Sequence, residues 1–124
     1  MKNSVLHEKS IEFAAIIVKF YEKFVQQKVD TTIAKQLLRS ATSIGANLNE
    51  ATYGNSKADF ISKMHISLKE CPESIYWLEL IKRVGYVEST EVVEKYIKLA
   101  NEIKAMLISS INTAKNKTTS SNEF

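Results

Sequence analysis

The chain has 124 residues, 44% of them hydrophobic and 25% charged, with a formal net charge of +3. That is one domain's length with the composition of an ordinary globular protein, and it falls well short of the charge density of a dedicated nucleic-acid arm. A single cysteine, Cys71, excludes an internal disulfide framework, and the longest apolar run, residues 13–18, is far too short to span a bilayer.

MKNSVLHEKSIEF at the N-terminus has no apolar core suited to a secretory signal, so the expected location is cytoplasmic, with no membrane partner. Three glycines and one proline leave little material for turns and point to a few long helices. Charge is unevenly spread. Residues 31–69 carry five basic and two acidic side chains, whereas residues 70–94 carry six acidic and two basic ones. Such an acidic block in a basic molecule suits a self-complementary contact or, more simply, solvated helix faces.

The first predicted helix covers about residues 4–28. Phe13, Ile16, Ile17, Phe20, Tyr21 and Phe24 recur at three- and four-residue steps and form one apolar stripe. Val29-Asp30-Thr31 breaks the pattern, and the Asp30 carboxylate is placed to cap the next helix. The second helix covers about 31–52, with a heptad seam of Ala34, Leu37, Ala41, Ile44, Leu48 and Ala51. Gly54 is expected to end it in the left-handed conformation.

Ser56-Lys57-Ala58-Asp59 has the form of a capping box and opens the third helix, about 57–84. Its expected seam is Ile61, Met64, Leu68, Cys71, Ile75 and Leu78, and Gly85 stops it. Pro72 lies inside, removes one backbone donor and crowds the carbonyl of Leu68, which predicts a kink. The fourth helix begins near Ser89 or Thr90, with Glu91 and Glu94 suited to its positive end. Val93, Tyr96, Ala100, Ile103 and Leu107 carry it to about residue 114, and residues 115–124, KNKTTSSNEF, are expected to be a disordered tail. Short links between long helices make sequential helices antiparallel neighbours, so the predicted fold is all-α: an up-down-up-down four-helix bundle over residues 1–114.

Residues 39–51, RSATSIGANLNEA, are poor in bulk and carry Gly45 in a helix interior. A phosphate loop would need a glycine-rich pattern after a strand, and here the heptad runs straight through Gly45. Thr42, Ser43 and Ala46 point away from the seam, and short side chains there let another backbone approach, from within the bundle or from a second subunit. Helix 3 adds apolar bulk beyond its seam in Tyr76, Trp77, Leu80, Ile81 and Val84. Thr42, Ser43, Gly45, Ala46, Tyr76, Trp77 and Leu80 are therefore the candidate oligomer-interface residues.

Catalytic and metal chemistry have little support. His7, His65 and Cys71 have no ligand spacing, neither histidine has an obvious nucleophile, and Glu50, Glu70 and Glu73 lack the Glu-x-x-His pairs of a di-iron bundle. Asn47 and Glu50, one turn apart, are expected to hydrogen-bond between helices. No catalytic residue, metal or cofactor is expected, and the chain reads as a non-enzyme.

Arg39-Ser40-Ala41, Ser43-Ile44, Ala46-Asn47 and Glu50-Ala51 resemble the signature of the four-helix-bundle family of the 23S rRNA intervening-sequence proteins. The likeness continues through Phe60, Leu68, Glu73 and Trp77-Leu78-Glu79-Leu80, and covers about residues 5–114. The resemblance implies a small helical bundle assembled as a homo-oligomeric ring of five. Some members are encoded inside insertions in large-subunit ribosomal RNA genes, and most have no assigned biochemical activity. A related accessory protein of diversity-generating retroelements is a basic pentamer that binds nucleic acid and a reverse transcriptase. Two functions are therefore expected. One is an assembled module that binds RNA or a ribonucleoprotein such as the ribosome, with Lys35, Arg39, Lys57, Lys63 and Lys69 as phosphate contacts. The other is a protein-only scaffold that uses the apolar face of helix 3 and the acidic block. Gathered cations favour the first, and scattered cations the second.

Overall fold

A computed structural model of the protein describes residues 4–122, with side chains described through residue 116. Its described residues form four helices and no strand: α1 (Val5–Gln26), α2 (Thr32–Thr52), α3 (Lys57–Val84) and α4 (Thr90–Asn122). Helix α4 overruns the residue-114 limit set by its apolar stripe, because backbone bonds from one turn to the next continue without an apolar face. The expected tail thus begins as helix, and its remainder, residues 123–124, lies outside the described residues.

Local chemistry explains most of the boundaries. The Ser4 hydroxyl accepts from the His7 amide at 3.2 Å and starts α1. Asp30 accepts from the Thr32 amide at 2.8 Å, and those bonds to Thr32 hold its carboxyl below the usual range. Ser56 accepts from the Asp59 amide at 3.1 Å. Gly85, at φ 86°, closes α3 in the left-handed region. Gly54 does not behave as expected, since it has no positive φ and Tyr53 ends α2 instead. Its value is space: a Cβ there would sit 2.7 Å from Asp59 Oδ2 and 3.2 Å from the Ala51 carbonyl.

Paired contacts give the helix directions. Along α2, residues 39–40, 44 and 50 meet residues 73–74, 67 and 63 of α3, so α3 numbering falls as α2 numbering rises. His7 and Ser10 of α1 meet Thr52 and Gly45 of α2, again reversed. The contacts of α2 with α1 and with α3 thus pair in opposed order.

The α2 seam is buried throughout, from Ala34 to Ala51. The α3 seam is as expected at Met64, Cys71 and Leu78 and differs at its other three positions. Its interior row is Met64, Ser67, Cys71, Ser74, Leu78 and Ile81, while Ile61, Leu68 and Ile75 are only half-buried beside it. Two of those inward positions are serines, which an apolar search passes over. Ser67 donates to the Ile44 carbonyl of α2 at 2.7 Å, and the Ser74 and Ser40 hydroxyls lie 2.8 Å apart. Ser40 also donates to the Leu37 carbonyl at 3.1 Å, so the Ser74 proton is the one shared between the helices. The small residues on these faces bring α2 and α3 close together. Pro72 is exposed, and α3 is continuous through it.

Gly45 faces α1 of its own chain, where a Cβ would meet Ser10 Oγ at 3.4 Å, an ordinary contact. Gly45→Ala should therefore raise stability by up to about 1 kcal/mol, the helical penalty of glycine, in urea unfolding. In the serine pair, Ser40→Ala strands the buried Ser74 hydroxyl and should cost about 1–3 kcal/mol. Ser74→Ala leaves Ser40 its bond to Leu37 and should cost less. A double mutant whose cost equals the sum of the two would contradict the shared bond.

Candidate functional site

The five candidate cations lie on α2 and α3, and the structure divides them. Arg39 Nη2 donates to Glu73 Oε1 at 2.6 Å, and its Nη1 lies 3.8 Å from Glu70 Oε1. One guanidinium thus faces two carboxylates a turn apart on α3, and the cluster carries net negative charge. Lys63 pairs with Glu50 across the same helices at 3.0 Å, which holds its ammonium above the usual lysine range. Lys35, Lys57 and Lys69 are exposed and form no ion pair among the described residues. Lys35 stands in the first turn of α2 and Lys57 in the first turn of α3, at opposite ends of the helix pair. They are separated by roughly 30 Å at 1.5 Å per residue. The five residues do not form one cluster.

The acidic side of this arrangement is strained. Burial and the neighbouring Glu73 push the Glu70 carboxyl above its usual range, against the pull of Arg39 and Lys69. Glu70 Oε1 is shut from solvent without a hydrogen bond, and so is Trp77 Nε1, two turns further along the same row. Asn47 departs from expectation: its amide donates to the Ser43 carbonyl of its own helix at 2.8 Å, and only Glu50 reaches α3.

The interface candidates are also sorted. Thr42, Ser43 and Gly45 are half-buried and Ala46 is exposed, with the Thr42 and Ser43 hydroxyls turned back onto α2 carbonyls. Tyr76 is 60% exposed and packs edge-on against Trp77 at 5.0 Å, while Trp77 and Leu80 are half-buried. Tyr76, Glu79, Leu80 and Arg83 line a shallow groove of about 220 Å³. Ile81, expected as surplus bulk, is core. A second apolar line escapes a reading of the sequence: Ile11, Val18 and Val25 recur every seven residues on the outer face of α1 and remain exposed, Ile11 at 62%. The spacing is the available signal, hidden by the stronger stripe beside it.

Residues 2–109 match the family described as 23S rRNA-intervening sequence protein. The chain belongs to that family. Among solved structures it is similar to a protein of unknown function from the S23 ribosomal protein family of Bacteroides thetaiotaomicron VPI-5482. The two are 46% identical with a TM-score of 0.85, over 90% of this chain and 99% of the other. No protein of curated function matches the chain. In this family member, Arg39 and Glu73, both part of the recognisable signature, bind each other.

Chemically reactive groups are scarce. Burial pushes the Cys71 thiol up to about 12, so it is protonated and inert at neutral pH. His7 is buried between the Ser4 and Thr52 hydroxyls, each 3.2 Å from a ring nitrogen, in a structural role. No group of three His, Cys, Asp or Glu residues among those described is placed to hold a metal, and no described helix is long and apolar enough to cross a membrane.

The two glutamates should respond oppositely to neutralisation. Glu70 binds its proton more readily folded than unfolded, so its contribution is favourable below the unfolded pKa and is lost as pH rises through the folded one. Glu70→Gln should leave thermal stability at pH 7 unchanged or higher and flatten its decline between acid and neutral pH. Glu73→Gln should lower stability at pH 7 by losing the charge-assisted bond to Arg39. The opposite ranking in thermal melts would refute this reading.

Proposed function

We propose that this family member is a non-enzymatic, cytoplasmic, self-assembling helical protein that binds RNA or a ribonucleoprotein. Each subunit is an antiparallel up-down-up-down bundle, and copies assemble into a ring, of five by resemblance to the family. RNA contact is supported by membership of the 23S rRNA-intervening sequence family and by the cations that the fold leaves available. Lys35, Lys57 and Lys69 stay exposed and unpaired among the described residues, while acids bind Arg39 and Lys63. Each of these lysines can contact a phosphate, although they do not form one patch on a subunit. One subunit contributes few such contacts, and repetition around an assembly multiplies them. No cofactor enters this reading. Arg39 belongs to the fold here, and the phosphate contacts narrow to the three free lysines.

The test uses fluorescence anisotropy on a single-stranded RNA and on a structured one, across a range of salt. Lys35→Ala with Lys69→Ala should weaken binding about tenfold near 100 mM salt and reduce the salt slope by about two. An undetectable affinity for both RNAs, or no change on removing the lysines, would sink the proposal.

The scatter of the cations favours a second reading, a protein-only scaffold. Its docking surface is the Tyr76–Leu80 groove. Pull-downs separate the two: a protein partner retained after nuclease and high salt supports the scaffold, and recovery of RNA alone excludes it.

A further inference from the structure

A second, larger cleft lies away from all of these residues. It is about 530 Å³, within the usual range of small-molecule sites, and opens between the C-terminal half of α1 and the link from α3 into α4. Four rings make its floor. Phe20 packs on Phe24 at 5.1 Å and on Tyr96 at 5.4 Å, and Phe24 packs on Tyr86 at 6.1 Å. These tilted and edge-to-face contacts fix the rings against one another. Phe20 and Phe24 are core residues, whereas Tyr86 and Tyr96 are half-buried and present part of their surface to the cleft.

The two walls differ in charge. On the α1 side stand Lys23 and the Gln27 amide, and on the opposite side Glu88 and the Ser89 hydroxyl. Lys23 and Glu88 line one cavity yet do not pair with each other, nor with any described residue. Elsewhere the chain closes such gaps readily, as Lys82 does with both Glu79 and Glu94 at 3.6 Å. Here an exposed ammonium and an exposed carboxylate line one aromatic-floored cleft without pairing.

We propose that this cleft binds a small zwitterionic aromatic molecule of the amino-acid class. The ring lies on Tyr86 and Tyr96, the ligand's carboxylate pairs with Lys23, and its ammonium pairs with Glu88. A purely apolar ligand would leave both charges unanswered, and an anion or a cation alone would meet one wall of its own sign. Gln27 and Ser89 supply further hydrogen bonds at the rim. The proposal does not depend on RNA binding or on the ring.

L-phenylalanine is the probe, titrated into the full-length protein and followed by the tyrosine ring signals in NMR. Phenylacetate and phenethylamine, each carrying one of the two charges, are the controls. L-phenylalanine should saturate with a dissociation constant on the order of 1 mM or lower, the scale set by its few heavy atoms. Each control should bind at least about tenfold more weakly, and Lys23→Glu, an exposed substitution that leaves the core intact, should abolish the response. Pairing Lys23→Glu with Glu88→Lys, which exchanges the walls, should restore part of it. Three results overturn the proposal: no saturable shift at ten times that concentration; controls that bind as well as the zwitterion; or tyrosine signals that follow protein concentration instead of ligand, which would make the cleft the seat of a second copy.

Discussion

Ser67 can donate to the Ile44 carbonyl at 2.7 Å only because α2 and α3 lie nearly backbone to backbone. A serine side chain is about the shortest reach a hydrogen bond between helices can have, so the bond sets the spacing of the pair. The same spacing brings Ser40 and Ser74 to 2.8 Å and lets Arg39 and Lys63 meet carboxylates across the groove. It also explains the small residues of α2. A bulky side chain at Ser40 or Ala41 would hold α3 off and break the hydroxyl contacts together. Helix α1 then fits the other side of α2 at Gly45 and Ser10, and α4 covers α3. The remaining geometry depends on that first close approach.

What the sequence disclosed depended on how apolar each interior row was. In α2 the heptad seam is Ala, Leu and Ile throughout, with buried Ser40 beside it, and reads directly as core. In α3 the inward row is broken by Ser67 and Ser74, so the eye moves to the neighbouring row of Ile61, Leu68 and Ile75. A serine carries no hydrophobic signal, and the one interhelix hydrogen bond that each of these makes depends on a partner helix that the sequence does not show. Gly54 misled for a similar reason, since its role is the room it leaves for Asp59 and not its dihedral freedom. Among the site residues, charge was visible but pairing was not. Nothing in Arg39 itself says that Glu70 and Glu73, more than 30 positions away, will face it. The aromatic cleft assembles residues from α1, from the link after α3 and from α4, and no local motif marks it.

The electrostatic layout separates structure from recognition. Opposite charges near the α2–α3 groove are consumed by the fold, and they orient that helix pair more than they stabilise it, since exposed pairs contribute little. What is left over lies at helix starts and on outer faces, where a partner can reach it.

The helices close unevenly. Helices α2 and α3 share the densest contact, whereas α1 and α4, joined by no link of their own, meet least, through Lys9 and Glu102 near one end and Phe20 and Tyr96 near the other. Mechanically the molecule is a closed wall with one seam, and the aromatic cleft sits on that seam. Opening there would leave α1 held by α2 alone while the serine-bonded pair stays intact, so the cleft spans the line along which the least packing is lost.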